Sequence, residues 1–158
     1  MILLAKADAL EAFLQASQVE AVIPKAAARE ACEVKQSVDA LIIQRLIAEE
    51  KIAVIAPRDR RTCERLRRDL ALGAGEAEVL ALALEKRADL VATDDKRPID
   101  ACKLVKLAFT PAPAIVVRMY ERGAPERKSA MLKLDVLERE GRYKKSILAA
   151  MRSRLEVS

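Results

Sequence analysis

The sequence predicts an α/β protein in which a short parallel sheet is flanked by helices. Short apolar runs ended by Pro or Asp alternate with longer segments of helical periodicity, which is typical of a parallel sheet. Residues 75–96 read GEAEVLALALEKRADLVATDDK, a helix that leads directly into an apolar strand. Acidic residues stand at both ends of this helix and strand. We therefore expect the rest of the chain to be organised around this stretch.

The first third of the chain is predicted to contain three helices and a strand. Residues 6–16 have apolar side chains at helical spacing, and residues 19–23 form a strand that Pro24 ends. A helix carrying Glu30 follows. Ser37 can cap the next helix. Its predicted inner stripe consists of Leu41, Ile42, Leu46 and Ile47.

The middle of the chain contains the central helix and strand. Residues 52–55 form a short strand ended by Pro57, and an arginine-rich surface helix follows. The central helix begins near Glu76 and ends in cations that suit its negative end. Residues 90–92 are apolar throughout, which predicts a strand covered on both faces. The inner face of the central helix is predicted to comprise Val79, Leu80, Leu82, Ala83 and Leu84.

The last third is predicted to be mainly helical. Pro98 begins a helical turn, and residues 107–109 form a last short strand. Pro113 suits the first turn of a helix that ends at Gly123. The remainder, to residue 158, is predicted to be a helical hairpin broken near Gly141.

Acidic residues are predicted to gather at the carboxyl edge of the sheet. The central helix runs antiparallel to the strand after it, so Glu76 returns to the end at which Asp94 and Asp95 lie. Ligands bind at this edge in open α/β sheets. Clustered carboxylates repel one another unless a cation lies between them, and oxygen ligands favour Mg²⁺ or Mn²⁺. The alternative is a solvated helix cap followed by a turn.

Composition limits the compartment and the chemistry. The 158 residues predict one domain, and the charged fraction of 34%, without an apolar run of about 20 residues, argues against a membrane protein. There is no His, so the three cysteines cannot form a Cys/His zinc site. We expect them to be reduced thiols in a cytoplasmic protein.

The net charge of +5 indicates an anionic partner, although only weakly. The distribution is more informative, because arginines crowd one segment of the middle of the chain. A solvated helix face is the alternative explanation for them. The arginines of this segment are Arg58, Arg60, Arg61, Arg65, Arg67 and Arg68.

Three stretches resemble the PIN-domain family, in particular its VapC-like group of small prokaryotic proteins. They are IPKAAARE, the GEAE…DD stretch above and TPAPAIVVRMYERG. The resemblance covers residues 3–123 and continues more loosely beyond. It implies one three-layer α/β/α domain over residues 1–158, with a core over 1–123 and a helical extension over 124–158. It also implies metal-dependent RNA cleavage, often by toxins that an antitoxin neutralises.

The resemblance assigns the site residue by residue. Glu30 matches the family's acid after the second strand, Glu76 the acid that opens the central helix, and Asp94 the acid that closes the fourth strand. These three would hold Mg²⁺ or Mn²⁺, with Asp95 as an auxiliary ligand. The RNA phosphates would be contacted by Lys96, Arg97, Arg61, Arg65, Arg68 and Thr110.

The chain departs from the family in two places. Relatives open with a strand that ends in Asp, whereas residues 3–7 match the following helix, or residues 2–4 are a remnant of the strand. Neither alignment supplies the first acid, and Asp8 is expected to face solvent on a helix. Loss of this central strand would expose the backbone of its neighbours, which an earlier start or pairing between subunits would repair. The second departure is that Ala112 replaces a hydroxyl residue of the family, although Thr110 is retained.

Three functions follow as hypotheses. The first is a ribonuclease, active in the cytoplasm as a homo-oligomer, most simply a dimer, with RNA as substrate and an antitoxin as partner. The second is a degenerate, inactive PIN-like domain that binds RNA or protein. The third is a structural or regulatory interaction protein without a role on nucleic acids. The basic segments argue mildly against the third.

Overall fold

A computed structural model describes residues 1–17, 19–32 and 37–157. The chain folds into two compact units, which we call the helical unit (residues 1–19 and 111–158) and the strand unit (residues 20–110). Prolines and glycines separate many of the elements. The elements are α1 (Ile2–Lys6), α2 (Leu10–Ser17), β1 (Ala21–Ile23), α3 (Lys25–Cys32), α4 (Val38–Ala48), β2 (Ile52–Val54), α5 (Arg60–Asp69), α6 (Ala74–Lys86), β3 (Val91–Ala92), α7 (Lys96–Leu104), β4 (Phe109–Thr110), α8 (Ala112–Glu121), α9 (Arg127–Glu140) and α10 (Lys145–Val157).

The four strands of the strand unit form two parallel pairs. β1 pairs with β2, with Ala21 opposite Ile52, and β3 pairs with β4, with Val91 opposite Phe109. The α/β class and the parallel direction are confirmed. The strands are shorter than predicted, however, and among the described residues they form two sheets rather than one continuous sheet.

The core of the strand unit lies around α6. Leu80 is fully buried, and α5 packs along the same helix through Leu66. Val91 of β3 and Cys102 of α7 belong to the same cluster. α6 therefore has the wide apolar face that its sequence predicts, and that face carries the elements on either side of it in sequence.

Several predicted core positions are wrong. Leu41 is 60% exposed, because α4 turns Ala40, Ile43 and Leu46 inward instead. Leu90 is 50% exposed and Ala92 is also exposed, so β3 is covered on one side only. Leu84, near the end of α6, is 38% exposed.

The helical unit is built from α1, α2, α8, α9 and α10. The predicted single helix over residues 6–16 is in fact two helices, because Asp8 has a positive φ of 50° and turns the chain between α1 and α2. Residues 2–4 lie in α1, so they are not the remnant of a strand. Pro113 lies in the first turn of α8 and Gly123, with a φ of 93°, follows the C-cap residue Arg122, as predicted. The hairpin of α9 and α10 is also confirmed.

Charged side chains tie the helices of this unit together. Lys133 Nζ donates to the carbonyl oxygens of Ala7, at 3.1 Å, and of Asp8, where α1 ends. Arg152 of α10 bridges Asp135 and Glu138 of α9 at 2.7 and 2.5 Å. The two bonds to carboxylates raise the pKa of the Arg152 guanidinium further. The two bonds from Lys133 satisfy carbonyl groups at the end of α1 that have no partner within the helix.

No helix in the described part of the chain is long and apolar enough to cross a membrane. The division into one core and a C-terminal extension stays a prediction. The helical unit combines the first 19 residues with the chain after Thr110.

The helical unit gives a direct test of its core. Leu134 of α9 is fully buried, whereas Leu132, two residues earlier, is 58% exposed. We expect Leu134→Ala to lower the free energy of unfolding by about 2–5 kcal/mol through lost burial and a cavity. Leu132→Ala should change it by less than about 0.5 kcal/mol. Urea titration followed by circular dichroism measures both, and equal losses would contradict the orientation of α9.

Candidate functional site

Three of the four predicted acids lie where helices begin or strands end in the strand unit. Glu30 is on α3, the helix that follows β1, and Glu76 is the third residue of α6. Asp94 lies two residues after β3, and Asp95 is the N-cap residue of α7. Glu76 and Asp95 therefore lie at helix beginnings and Asp94 lies just after a strand, whereas Glu30 is the sixth of the eight residues of α3.

α3 and α6 approach closely at Gly75. A Cβ built on Gly75 would lie 3.0 Å from Glu30 Oε2 and 3.7 Å from the backbone nitrogen of Ala27. The Glu30 carboxylate therefore occupies the space that a side chain at position 75 would need. Although Glu30 and Glu76 are far apart in sequence, the Glu30 carboxylate lies directly beside the residue that precedes Glu76.

Glu76 is held at the start of its own helix. Its Oε2 accepts a hydrogen bond of 2.6 Å from the backbone N–H of Gly73, the N-cap residue of α6. This contact fixes the side chain beside the positive end of the helix, where a carboxylate is stabilised. The other oxygen, Oε1, is not used by this bond.

Asp94 is positioned by the second pair of strands. The backbone N–H of Thr93 donates to the carbonyl oxygen of Thr110 at 3.1 Å, so the segment that carries Asp94 is tied to the end of β4. Asp94 and Thr110 are half-buried, whereas Asp95 and Lys96 are exposed. Thr110 and the two aspartates therefore lie around the ends of one strand pair.

The donor chemistry at these positions suits a hard divalent cation, because every candidate ligand is a carboxylate. At Gly75 the Glu30 carboxylate lies beside the first turn of α6. Within residues 1–17, 19–32 and 37–157 the side chains form no group of three or more acids or thiols that could hold a metal ion. The residues present therefore fit a metal by their chemistry, while the described arrangement brings only Glu30 to the helix end that carries Glu76.

The predicted basic helix is α5. Asp59 caps it by accepting from Thr62, through the backbone N–H at 3.2 Å and the hydroxyl at 2.6 Å, and these bonds lower the pKa of the Asp59 carboxyl. Arg61, Arg65 and Arg68 are exposed. Their spacing of four and three residues puts them on one face of the helix, as adjacent turns require.

The end of α5 lies close to the beginning of α7. Arg97 donates to the carbonyl oxygen of Ala71 at 3.3 Å, just after α5 ends. Arg97 is on the first turn of α7, next to Lys96 and Asp95. The arginine face of α5 and the cations after Asp94 therefore belong to neighbouring parts of the strand unit.

Sequence reasoning did not single out two carboxylates of α6 that bind backbone N–H groups. Glu78 Oε2 accepts from the backbone N–H of Ala26 at 3.2 Å, and Glu85 Oε2 accepts from that of Arg58 at 2.8 Å. The second acid of GEAE and the acid seven residues later were the available signal, since both lie on one helix face.

The thiols of the strand unit are unlike catalytic nucleophiles. Burial raises the pKa of Cys63, and the negative charge of Glu78 raises it further. Burial also raises the pKa of Cys102. Because the thiolate is the reactive form, the raised pKa values disfavour reaction of both thiols at neutral pH. Cys32, Cys63 and Cys102 form no disulfide with one another.

The fold and these positions define an α/β protein with parallel strands, acids near strand and helix ends, and a basic helix. A family model, DUF3368, described as a PIN domain, matches residues 1–156. The chain therefore belongs to the PIN-domain family, and the resemblance seen in the sequence is confirmed at that level. No curated protein and no solved structure matches the chain.

The contact at Gly75 gives a prediction that needs no ligand. Replacing Gly by Ala inside a helix raises the free energy of unfolding by about 0.5–1 kcal/mol when space allows. We expect this gain for Gly75→Ala in a Glu30→Ala background. With Glu30 present the gain should be smaller by at least about 0.5 kcal/mol, because the two side chains compete for one space. Urea titration of the four proteins measures the difference, and equal gains would disprove the contact.

Proposed function

We propose that the chain is a metal-dependent ribonuclease of the VapC-like group, with Mg²⁺ or Mn²⁺ as its cofactor. The observation that carries the proposal is the position of Glu30 against Gly75, beside the helix end that Glu76 caps. Membership of the PIN-domain family supports a nuclease-like activity. The exposed arginines of α5 support an anionic polymer as substrate.

In the proposed mechanism, Glu30, Glu76 and Asp94 hold the metal, and Asp95 assists them. When bound, the metal lowers the pKa of a water molecule and stabilises negative charge on the phosphate. Glu76 can contribute Oε1 while Oε2 keeps its bond to Gly73. The chain has no His, so general-base chemistry would fall to a carboxylate or to hydroxide that the metal would supply.

Substrate binding falls to the cations of the strand unit. Arg61, Arg65 and Arg68 on α5 would contact phosphates, and Lys96 and Arg97 would hold the backbone beside Asp94. Thr110 would donate its hydroxyl at the same end. With few aromatic residues to stack bases, phosphate contacts would dominate the affinity. A cytoplasmic homodimer and an antitoxin partner complete the proposal.

A second candidate function is an inactive PIN domain that binds RNA or protein. The fate of Asp8, the carboxylate nearest to the family's first acid, favours it. The Asp8 side chain is 97% exposed and lies 3.5 Å from Lys133 Nζ in the helical unit. Asp8 therefore pairs with a lysine of its own unit and lies in a turn rather than on the predicted helix.

The metal site is tested by calorimetric titration with Mn²⁺. Loss of a residue that only supports a metal ligand typically weakens metal binding by roughly 10- to 100-fold. We expect Asp94→Asn, which removes a proposed ligand, to weaken Mn²⁺ binding by at least this much. Asp100→Asn is the matched control, because Asp100 is an exposed acid on α7 that pairs with Lys103 at 3.7 Å. Equal affinities for all three proteins would remove Asp94 from the site. Absence of saturable binding in the unmodified protein would favour the inactive domain.

The basic face of α5 is tested by the salt dependence of RNA binding. For a single-stranded 12-nucleotide RNA, each phosphate contact contributes about −0.7 to the slope of log K against log salt. We expect the double variant Arg61→Ala, Arg65→Ala to make this slope shallower by about 1.4. Fluorescence anisotropy measures it. Arg139→Ala, an exposed arginine of the helical unit, is the control, and an unchanged slope in the double variant would show that α5 does not contact RNA.

A further inference from the structure

Two carboxylates on α6 hold backbone groups that follow strands. Glu78 accepts from the N–H of Ala26, which lies three residues after the end of β1. Glu85 accepts from the N–H of Arg58, which lies four residues after the end of β2. The acids are seven residues apart, so they lie on the same face of α6, about 10 Å from each other along its axis.

The bond from Ala26 is at the beginning of a helix. Ala26 is the second residue of α3, and the first N–H groups of a helix have no partner inside it. The Glu78 carboxylate satisfies one of them and also complements the positive end of the helix dipole. The contact is partly buried, which shields it from water more than a surface pair.

Glu78 lies where three helices meet. It belongs to α6, bonds to α3, and is close enough to Cys63 of α5 for its charge to raise the pKa of that thiol. The side chain is half-buried, unlike that of Glu30, which is exposed. The half-buried Glu78 carboxylate is held in place by its backbone partner. The position of the exposed Glu30 carboxylate depends instead on the position of α3.

The contact at Ala26 determines where Glu30 lies. Residues four apart on a helix occupy one face, so Ala26 and Glu30 face the same side of α3. Glu78 holds the first turn of α3 to α6, and one turn later Glu30 reaches Gly75. The backbone nitrogen of Ala27 lies at the same crossing. It is 3.7 Å from the position that a Cβ on Gly75 would occupy, which is an ordinary van der Waals distance.

We propose that Glu78 is a positioning residue, which fixes α3 on α6 so that the Glu30 carboxylate lies against Gly75. The inference rests on the proposed function, since it assigns Glu78 a role in the same site. Glu78 acts through its hydrogen bond to Ala26 and not as a ligand of the metal. Glu85 makes the equivalent bond to Arg58. Because Arg58 follows β2 and is not part of α3, this bond does not position Glu30, and Glu85 has no such role.

The test compares Glu78→Gln, Glu78→Ala and Glu85→Ala with the unmodified protein. Mn²⁺ affinity is measured by calorimetry, and hydrogen exchange of the backbone amides by mass spectrometry. We expect Glu78→Ala to weaken Mn²⁺ binding about tenfold or more. Glu78→Gln should stay within about threefold, because the amide oxygen still accepts from Ala26. Glu85→Ala, which removes the same kind of bond, should leave the affinity unchanged.

Hydrogen exchange separates this inference from the proposed function. Glu78→Ala should speed exchange in α3 and Glu85→Ala around Arg58, whereas Glu78→Gln should leave α3 protected. Should the unmodified protein not bind Mn²⁺, the proposed function fails, and this exchange pattern alone decides whether Glu78 holds α3. Equal losses of affinity in Glu78→Gln and Glu78→Ala would make Glu78 a ligand and overturn the inference. So would an equal loss in Glu85→Ala or unchanged exchange in Glu78→Ala.

Discussion

The crossing of α3 and α6 is the interaction on which the candidate site depends. Gly75 lacks a side chain, and the Glu30 carboxylate fills the space. Glu78 holds the beginning of α3 at the same crossing. In the first contact the carboxylate comes from α3, and in the second it comes from α6. Such a pair fixes both the distance and the rotation of the helices, which apolar contacts alone leave less specific.

α6 has two faces with different roles, and its sequence places different residue types on each face. Small and aliphatic residues build its buried side, where Ala77, Leu80 and Ala81 are almost inaccessible to solvent. Its acids occupy the remaining surface and engage backbone N–H groups of Gly73, Ala26 and Arg58. Backbone donors do not change when side chains mutate. An acid placed opposite them therefore stabilises a connection whatever residues the connection carries.

Much of the fold could be predicted from the sequence, because its signals are local. Helix periodicity and punctuation by Pro and Gly locate α5, α6 and the α9–α10 hairpin close to their observed bounds. Pairing of strands and the facing of α4 depend on distant residues, so Leu41 and Leu90 were assigned to the wrong environment. For the candidate site, GEAE and DD point to Glu76 and Asp94, whereas Glu78 is recognisable only once Ala26 is seen opposite it.

The electrostatics of the α6 N-terminus explain how two acids can stay close without a metal. Glu76 takes the N–H of Gly73, and Glu30 lies beside the same first turn, so both face the positive end of one helix. This field offsets part of the repulsion that adjacent carboxylates exert on each other. Asp94 lies on a different element, just after β3, in a segment tied to β4 by the bond between Thr93 and Thr110. The positions of Glu30 and Glu76 thus depend on the crossing of α3 and α6, whereas that of Asp94 depends on the pairing of β3 with β4.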